Sequence, residues 1–340
     1  MTPERTILAP GYEIPRLIRG GWQLAGDHGE VDAQRAVDDM AAFVKAGIDA
    51  VDCADIYTGV EDLIGRYRER DPSLRVHTKF VPDLADLAHV DEAYVRRINA
   101  RSRQRLRLAA PDLVQFHWWD YDVPGMVDVA RHLVTLHQEG LIGHIGGTNF
   151  DALHTEQLLD AGVPLVSMQV QYSLLDRRPA GALSSLCARS PVRLLCYGTL
   201  AGGLLTEAWL DAAEPDVLSN RSHIKYKLVI DDFGGWSAFQ QLLHLLQGIG
   251  RKHGVSLSAV ATRWVLDQPH VAAAIVGARY AAHLPAHLQV FDFRLDAQDH
   301  LAIETLVSEC PGPQGDTYAL ERDRQGRHGR IMKYNLNKIE

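Results

Sequence analysis

Eight strand-like runs, each followed by a helical pattern, constrain this chain more than any other feature of it. The runs begin near residues 16, 50, 75, 112, 142, 165, 193 and 272. Between them apolar residues recur at helical spacing, as in 32–46, where Ala36, Met40, Phe43 and Val44 form one face and Gly47 supplies a stop. Parallel strands need crossover helices, and eight such strands close around a filled interior, so the pattern predicts a (β/α)8 TIM barrel. The competing doubly wound sheet usually has fewer strands and, for a dinucleotide, a glycine-rich first turn.

Three segments fall outside the alternation. Residues 1–15 alternate around Pro10-Gly11 and predict an N-terminal hairpin. Residues 202–235 read as a long irregular loop, followed by two helical patterns over 238–253 and 257–266 and a helix over 281–290 after the last strand. A helix over 297–309 precedes a polar tail, 311–340, for which folding over the barrel and a solvated end are both open. One barrel domain is expected over 1–340.

Composition narrows the function classes. A formal charge of -8 argues against general affinity for nucleic acid or an anionic membrane, both of which need basic surface. Four cysteines, Cys53, Cys187, Cys196 and Cys310, form no CxxC pair and predict free thiols in a reducing, cytoplasmic setting. The first residues have no apolar core of signal-peptide length, and no run approaches the roughly 18 apolar residues of a membrane span. With no HExxH motif and no Cys/His cluster, no metal is expected.

Chemistry concentrates at the strand ends. Asp52, Lys79 and His117 close the second, third and fourth barrel runs, and Tyr57 follows Asp52 by five residues. In such barrels the active site lies at the C-terminal mouth of the strands, which makes these groups angular neighbours. A phenol has a pKa of about 10, so Tyr57 needs help to act as an acid. A lysine ammonium beside it lowers that value, and Asp52 holds the lysine charged. His117, with a donor nitrogen, suits a substrate carbonyl oxygen. Taken singly, each residue has an ordinary reading: Asp52 as a helix cap, Lys79 as a solvated cation, His117 as a satisfied core histidine. The ordered set on consecutive strand ends favours carbonyl reduction. Trp22 and Trp118 are balanced between lining a substrate pocket and filling the mouth, and Trp119 leans to packing.

The chain resembles the aldo-keto reductases. The matching segments are Asp52-Cys53-Ala54-Asp55-Ile56-Tyr57, Glu61-Asp62-Leu63-Ile64-Gly65, His77-Thr78-Lys79, Gln115-Phe116-His117-Trp118, Gly147-Thr148-Asn149-Phe150, Gln169-Val170-Gln171-Tyr172, the run from Cys196 to Leu205, and Gly277-Ala278-Arg279. This resemblance implies a catalytic tetrad of Asp52, Tyr57, Lys79 and His117, with a substrate pocket between Trp22, Tyr57, His117 and Trp118. It further implies that Thr148, Asn149 and Gln169 hold a nicotinamide carboxamide, that Tyr197 stacks on the ring, and that Gly21, Trp22 and Asp52 border the cofactor. Gly198, Thr199, Leu200, Ala201 and Gly202 would wrap the pyrophosphate, for which backbone amides of a glycine-rich turn are good donors. Gly277, Arg279, His283 and His287 would meet the adenosine 2'-phosphate, with Arg221 as a further candidate.

The sequence departs from the family pattern at Gly21, where threonine is frequent, at Thr148 for serine, at Gly198-Thr199 for Ser-Pro, and at His283 and His287 for Gln or Arg and Asn. Arg279 and Arg221 favour NADP(H), with NAD(H) as the open alternative, since Arg suits phosphate geometry. The implied partner is a small-molecule carbonyl substrate. A nucleotide-binding redox sensor with negligible turnover is the rival from another class, and an unrelated barrel lyase or isomerase a third reading.

Overall fold

Strand β1 (Arg5–Ala9) and strand β2 (Tyr12–Pro15) pair antiparallel as the predicted hairpin. They belong to a computed structural model that describes residues 3–25, 31–278 and 280–337. Eight further strands form a closed parallel barrel: β3 (Leu17–Gly20), β4 (Ala50–Asp52), β5 (Arg75–Phe80), β6 (Leu113–Phe116), β7 (His144–Thr148), β8 (Leu165–Gln171), β9 (Arg193–Tyr197) and β10 (Val271–Gly277). Each strand pairs with the next in chain order. The ring closes where β10 meets β3, with Ala274 opposite Leu17 and Gly277 opposite Gly20. The Arg16 guanidinium clasps this seam, donating to the carbonyls of Val271 (3.0 Å) and Ala272 (3.3 Å).

The hairpin seals one end of the barrel. Leu8, Tyr12 and Ile14 are buried against Ile18, Ala50, Leu113, Leu195 and Ala273. The Tyr12 hydroxyl lies 2.8 Å from His77 Nε2, and its ring stacks at 4.6 Å on His144. The opposite mouth carries the C-terminal ends of the strands.

Helices start where short polar residues can accept orphan backbone N–H groups. Asp32 caps α1 (Ala33–Lys45), Asp91 caps α3 (Glu92–Leu106) and Asp151 caps α5 (Ala152–Asp160), each accepting from the amide three residues on. Helix α2 (Val60–Arg68) and helix α4 (Met126–Gln138) instead begin after glycines at positive φ. Their buried faces cover the barrel, as with Ala36, Val37, Met40 and Phe43 of α1. No helix among the described residues is long and apolar enough to cross a membrane. All four cysteines are unpaired, three of them buried.

Some expectations need correction. Helix α6 (Ala182–Ala188) is shorter than 180–189 because Arg178–Ala180, with Pro179, makes a separate 3-10 turn. The supposed loop 202–235 contains helix α7 (Arg221–Phe233), capped by Asn220 and burying Tyr226, Val229, Ile230 and Phe233. Helices α8 (Gly235–His253) and α9 (Leu257–Leu266) follow. The helix expected over 281–290 is split into a 3-10 turn, α10 (Leu284–Leu288) with Pro285 in its first turn, and a second 3-10 turn.

Among the described residues one group of metal-ligating side chains does come together, His253, Asp296 and Asp299, at the start of α11 (Ala297–Ser308). The Lys252 ammonium already binds both carboxylates there, at 2.5 and 2.8 Å, and Asp296 and Asp299 form the capping box of that helix. Beyond it the tail folds over the barrel mouth. Its helix α12 (Ala319–Arg322) sends Glu321 to Arg178 and Arg322 to the carbonyls of Trp118, Trp119 and Asn149.

Candidate active site at the barrel mouth

Inward and outward side chains alternate along a strand, and that alternation assembles the site. Asp52 ends β4, Lys79 is the fifth residue of β5, and Gln115 faces inward on β6. Lys79 Nζ donates to Asp52 Oδ2 at 2.6 Å and to the Cys53 carbonyl at 2.7 Å. The other Asp52 oxygen accepts from Gln115 (2.8 Å) and Gln169 (2.6 Å). Three donors thus converge on one buried carboxylate, the ammonium among them. Two Lys79 protons are thereby committed, leaving the third for Tyr57, whose ring centroid lies 5.0 Å from Nζ. Trp22 packs against the Tyr57 ring at 4.9 Å.

The protonation states follow from burial and neighbours. Burial works against the Lys79 charge, but Asp52 and then Tyr57 hold its pKa above the ordinary lysine value. Burial pushes the Tyr57 phenol above its usual value, and the pull of Lys79 only moderates this. The expectation of a lowered phenol is therefore corrected: desolvation outweighs the nearby cation. His117 is likewise pushed down, to about 3, first by burial and then by the charge of Arg322. Its Nδ1 lies 3.0 Å from the Thr148 carbonyl, so the donor nitrogen expected to face a substrate is committed to the backbone.

Of the two readings left open for Trp118, packing is the one its burial favours, and Trp119 is buried as well. Within β6 Gln115 faces inward and Phe116 outward; His117, Trp118 and Trp119 follow the strand. Trp118 is completely buried, 6.0 Å from the Phe116 ring, and does not line the mouth. The edge of Trp119 instead meets His117 at 4.3 Å. Tyr318, which sequence reasoning missed, approaches the same imidazole from the tail at 5.7 Å.

The proposed cofactor contacts line one side of this mouth. Tyr197 donates to Asn149 Oδ1 at 2.8 Å, next to Thr148 and Gln169. The turn from Gly198 through Thr199, Leu200 and Ala201 to Gly202 has positive φ at Gly198, Ala201 and Gly202. A Cβ on Gly198 or Gly202 would run into Tyr226 of α7, which packs on this turn. Arg221 lies 5.9 Å over the Trp22 ring and Lys225 5.1 Å over Tyr197, so α7 brings two cations to the mouth. That places Arg221 beside Trp22. Gly21 is squeezed: its amide donates to the Asp52 carbonyl at 2.7 Å, and a Cβ would come within 2.9 Å of that oxygen and of Val60.

The far end holds Gly277, against which the Gln23 amide packs, and Arg35, stacked 3.9 Å over Tyr280. His287 is buried and pushed down to about 4, chiefly by burial, so it is neutral and has an unpartnered Nε2. Arg279 lies outside the described residues. Glycine turn, nearby cations and orphaned imidazole fit a dinucleotide laid from Tyr197 toward Gly277.

Comparison with known proteins agrees with this geometry. The model of the Aldo/keto reductase family matches residues 16–308. Aldo-keto reductase YhdN of Bacillus subtilis is 28% identical over 325 residues, covering 91% of this chain and 96% of that one. The NADH-specific methylglyoxal reductase of Escherichia coli is 24% identical over 313 residues, 84% of this chain and 92% of that one. Among solved structures, the glycerol dehydrogenase AKR11B4 from Gluconobacter oxydans superimposes with a TM-score of 0.76 at 26% identity, covering 90% of this chain and 95% of that one.

Proposed function

The chain belongs to the aldo/keto reductase family, and on that premise we propose that it reduces a small aldehyde or ketone to an alcohol, with Tyr57 as the proton donor. The family carries out nicotinamide-dependent oxidoreduction of carbonyls. The observation that carries the finer reading is the buried Lys79–Asp52 pair at 2.6 Å, with the Lys79 ammonium over the Tyr57 ring. A bound reduced nicotinamide supplies the hydride. Tyr57 gives its proton to the carbonyl oxygen as negative charge develops there, and the Lys79 ammonium stabilises the phenolate left behind. Asp52, fixed by Gln115 and Gln169, keeps that ammonium charged and aimed.

NADP(H) is the favoured cofactor. Arg35 supplies a cation for a 2'-phosphate and the family resemblance implies Arg279 as another, while neutral His287 contributes hydrogen bonding alone. The name of the NADH-specific Escherichia coli relative keeps NAD(H) as the alternative. Unpaired thiols accord with a cytoplasmic setting.

The test is absorbance-monitored turnover of a carbonyl panel with NADPH and NADH in parallel. Turnover is expected with both, with KM for NADPH lower by about tenfold, the worth of one charge-assisted contact. Equal KM values overturn the cofactor preference. Tight dinucleotide binding without turnover of any carbonyl overturns the enzyme reading in favour of a redox sensor.

A pH prediction follows from the raised phenol. The acid form of Tyr57 is the active one in reduction, so raising its pKa extends the active range upward. kcat for reduction is expected to stay flat from about pH 6 to 9. A kcat profile with an inflection near pH 8 would show that another group supplies the proton.

A further inference from the structure

The turn that carries Tyr57 is short and closed. The Tyr57 amide donates to the Ala54 carbonyl at 3.0 Å, so residues 54–57 form one turn with Asp55 as its second residue. The Asp55 side chain is buried and reaches the end of the neighbouring strand, where its Oδ2 accepts the Val81 amide at 3.0 Å. Val81 directly follows β5 and stands two residues past Lys79. The turn of Tyr57 and the strand end of Lys79 are therefore joined at Asp55 and Val81.

A third segment closes on the same spot. Asn337, from the tail, is 4% exposed, and its Nδ2 donates both to the Val81 carbonyl and to Asp55 Oδ2, the latter at 3.4 Å. Its Oδ1 accepts from Arg101 of α3, so both ends of the amide are used in their proper sense. Asp83 holds the tail backbone here, one carboxylate oxygen accepting the Leu336 and Asn337 amides at 2.8 Å each. The Tyr334 carbonyl takes the Leu84 amide at 2.9 Å, and the Asn335 side chain takes that of Ala85 at 2.9 Å. Asp55 has little else to hold it: its Oδ1 is buried with no hydrogen-bond partner among the described residues, and its carbonyl receives one bond from Arg105 at 3.3 Å.

We infer that Asn337 is a positioning residue for proton transfer, fixing the separation of Tyr57 from Lys79 by clamping Asp55 to Val81; this rests on the reading of Tyr57 as the acid. The Lys79 ammonium, 5.0 Å from the Tyr57 ring centroid, stabilises the departing phenolate only while that spacing holds. A displacement of about 1 Å caused by a change away from the chemistry costs up to about 10² in rate. The tail thus does more than cover the mouth: one of its amides sets the geometry beneath it.

The test is Asn337→Ala, a change small enough for water to take the place of the amide. kcat for carbonyl reduction is expected to fall about ten- to hundredfold, while the dinucleotide Kd, read by fluorescence titration, stays at the wild-type value. The solvent isotope effect on kcat rises, because proton transfer from a displaced phenol becomes the slow step; a loss of folded protein alone leaves that effect unchanged. Asn335→Ala, which loosens the same tail without touching Asp55, keeps wild-type kcat. Should Asn337→Ala melt below the assay temperature, Asp55→Asn gives the same readout, since its amide still accepts from Val81 but can set an NH2 group against that of Asn337. Full kcat in Asn337→Ala, a lowered kcat with an unchanged solvent isotope effect, or an equal loss in Asn335→Ala overturns the inference. Tyr57→Phe measured alongside separates the two readings: full kcat in that variant overturns the acid itself, whereas its loss beside an unaffected Asn337→Ala overturns the clamp alone.

Discussion

Replacing Tyr57 by Phe lowers kcat for carbonyl reduction by about 10² to 10⁴, the usual worth of a positioned general acid. The substitution removes one oxygen and keeps the ring that packs at 4.9 Å on Trp22 and under the Lys79 ammonium. Lys79 stays bound to Asp52 and to the Cys53 carbonyl, so the cation is not left bare. Dinucleotide affinity, measured by fluorescence titration, is therefore expected to be nearly unchanged, and the whole loss appears in turnover. Without the phenol, proton supply falls to water, which the Trp22, Trp119 and Tyr318 walls hold off. A Phe variant with full kcat would move the acid to another group.

Glu321→Ala destabilises the fold by about 3 to 5 kcal/mol, the cost of breaking a buried ion pair from one side. Glu321 takes two parallel bonds from Arg178, both 3.0 Å, and the two side chains are 1% and 3% exposed. Asp176 binds the same guanidinium at 2.7 and 2.9 Å, and Lys225 adds a second positive charge nearby. The four charges balance; without Glu321 one positive charge is left over in a dry place. Thermal unfolding should show a Tm lower by roughly 4 to 7 °C for a chain of this size.

The sign with pH is fixed. Burial raises the Glu321 pKa, but Arg178 and Lys225 outweigh it, so the folded value lies below the ordinary one. Its contribution is present above the unfolded glutamate pKa of about 4.3 and is lost as pH falls through the folded value. The gap between wild type and variant should be full at pH 7 and shrink below about pH 4. A gap that is small at pH 7 would mean that water already reaches Arg178.

The site was legible where chemistry coincides with strand periodicity. Asp52, Lys79 and His117 stand at strand ends, and the barrel topology makes strand ends converge. The tryptophans lie past the end of β6, where strand periodicity no longer decides which way a side chain faces. Helix α7 was also written in the chain, in the Asn220 cap and the spacing of Tyr226, Val229, Ile230 and Phe233. Its polar start, Arg221-Ser222-His223, masked the pattern. Other features have no local signature. Glu321 meets Arg178 across 143 residues, and nothing near either announces the other. The protonation of Tyr57 depended on burial, which the chemistry of its neighbours did not reveal.

Closure of the ring has a consequence for biosynthesis. The first barrel strand, β3, waits for β10, and Ala274 meets Leu17 only after the intervening polypeptide has left the ribosome. At about 5 to 20 residues per second, that delay is roughly 13 to 51 seconds. Throughout it, β3 has an unpaired flank, a template for association with other nascent chains. Yield in the cell should therefore respond to chaperone supply and to translation speed more than to the stability of the finished ring.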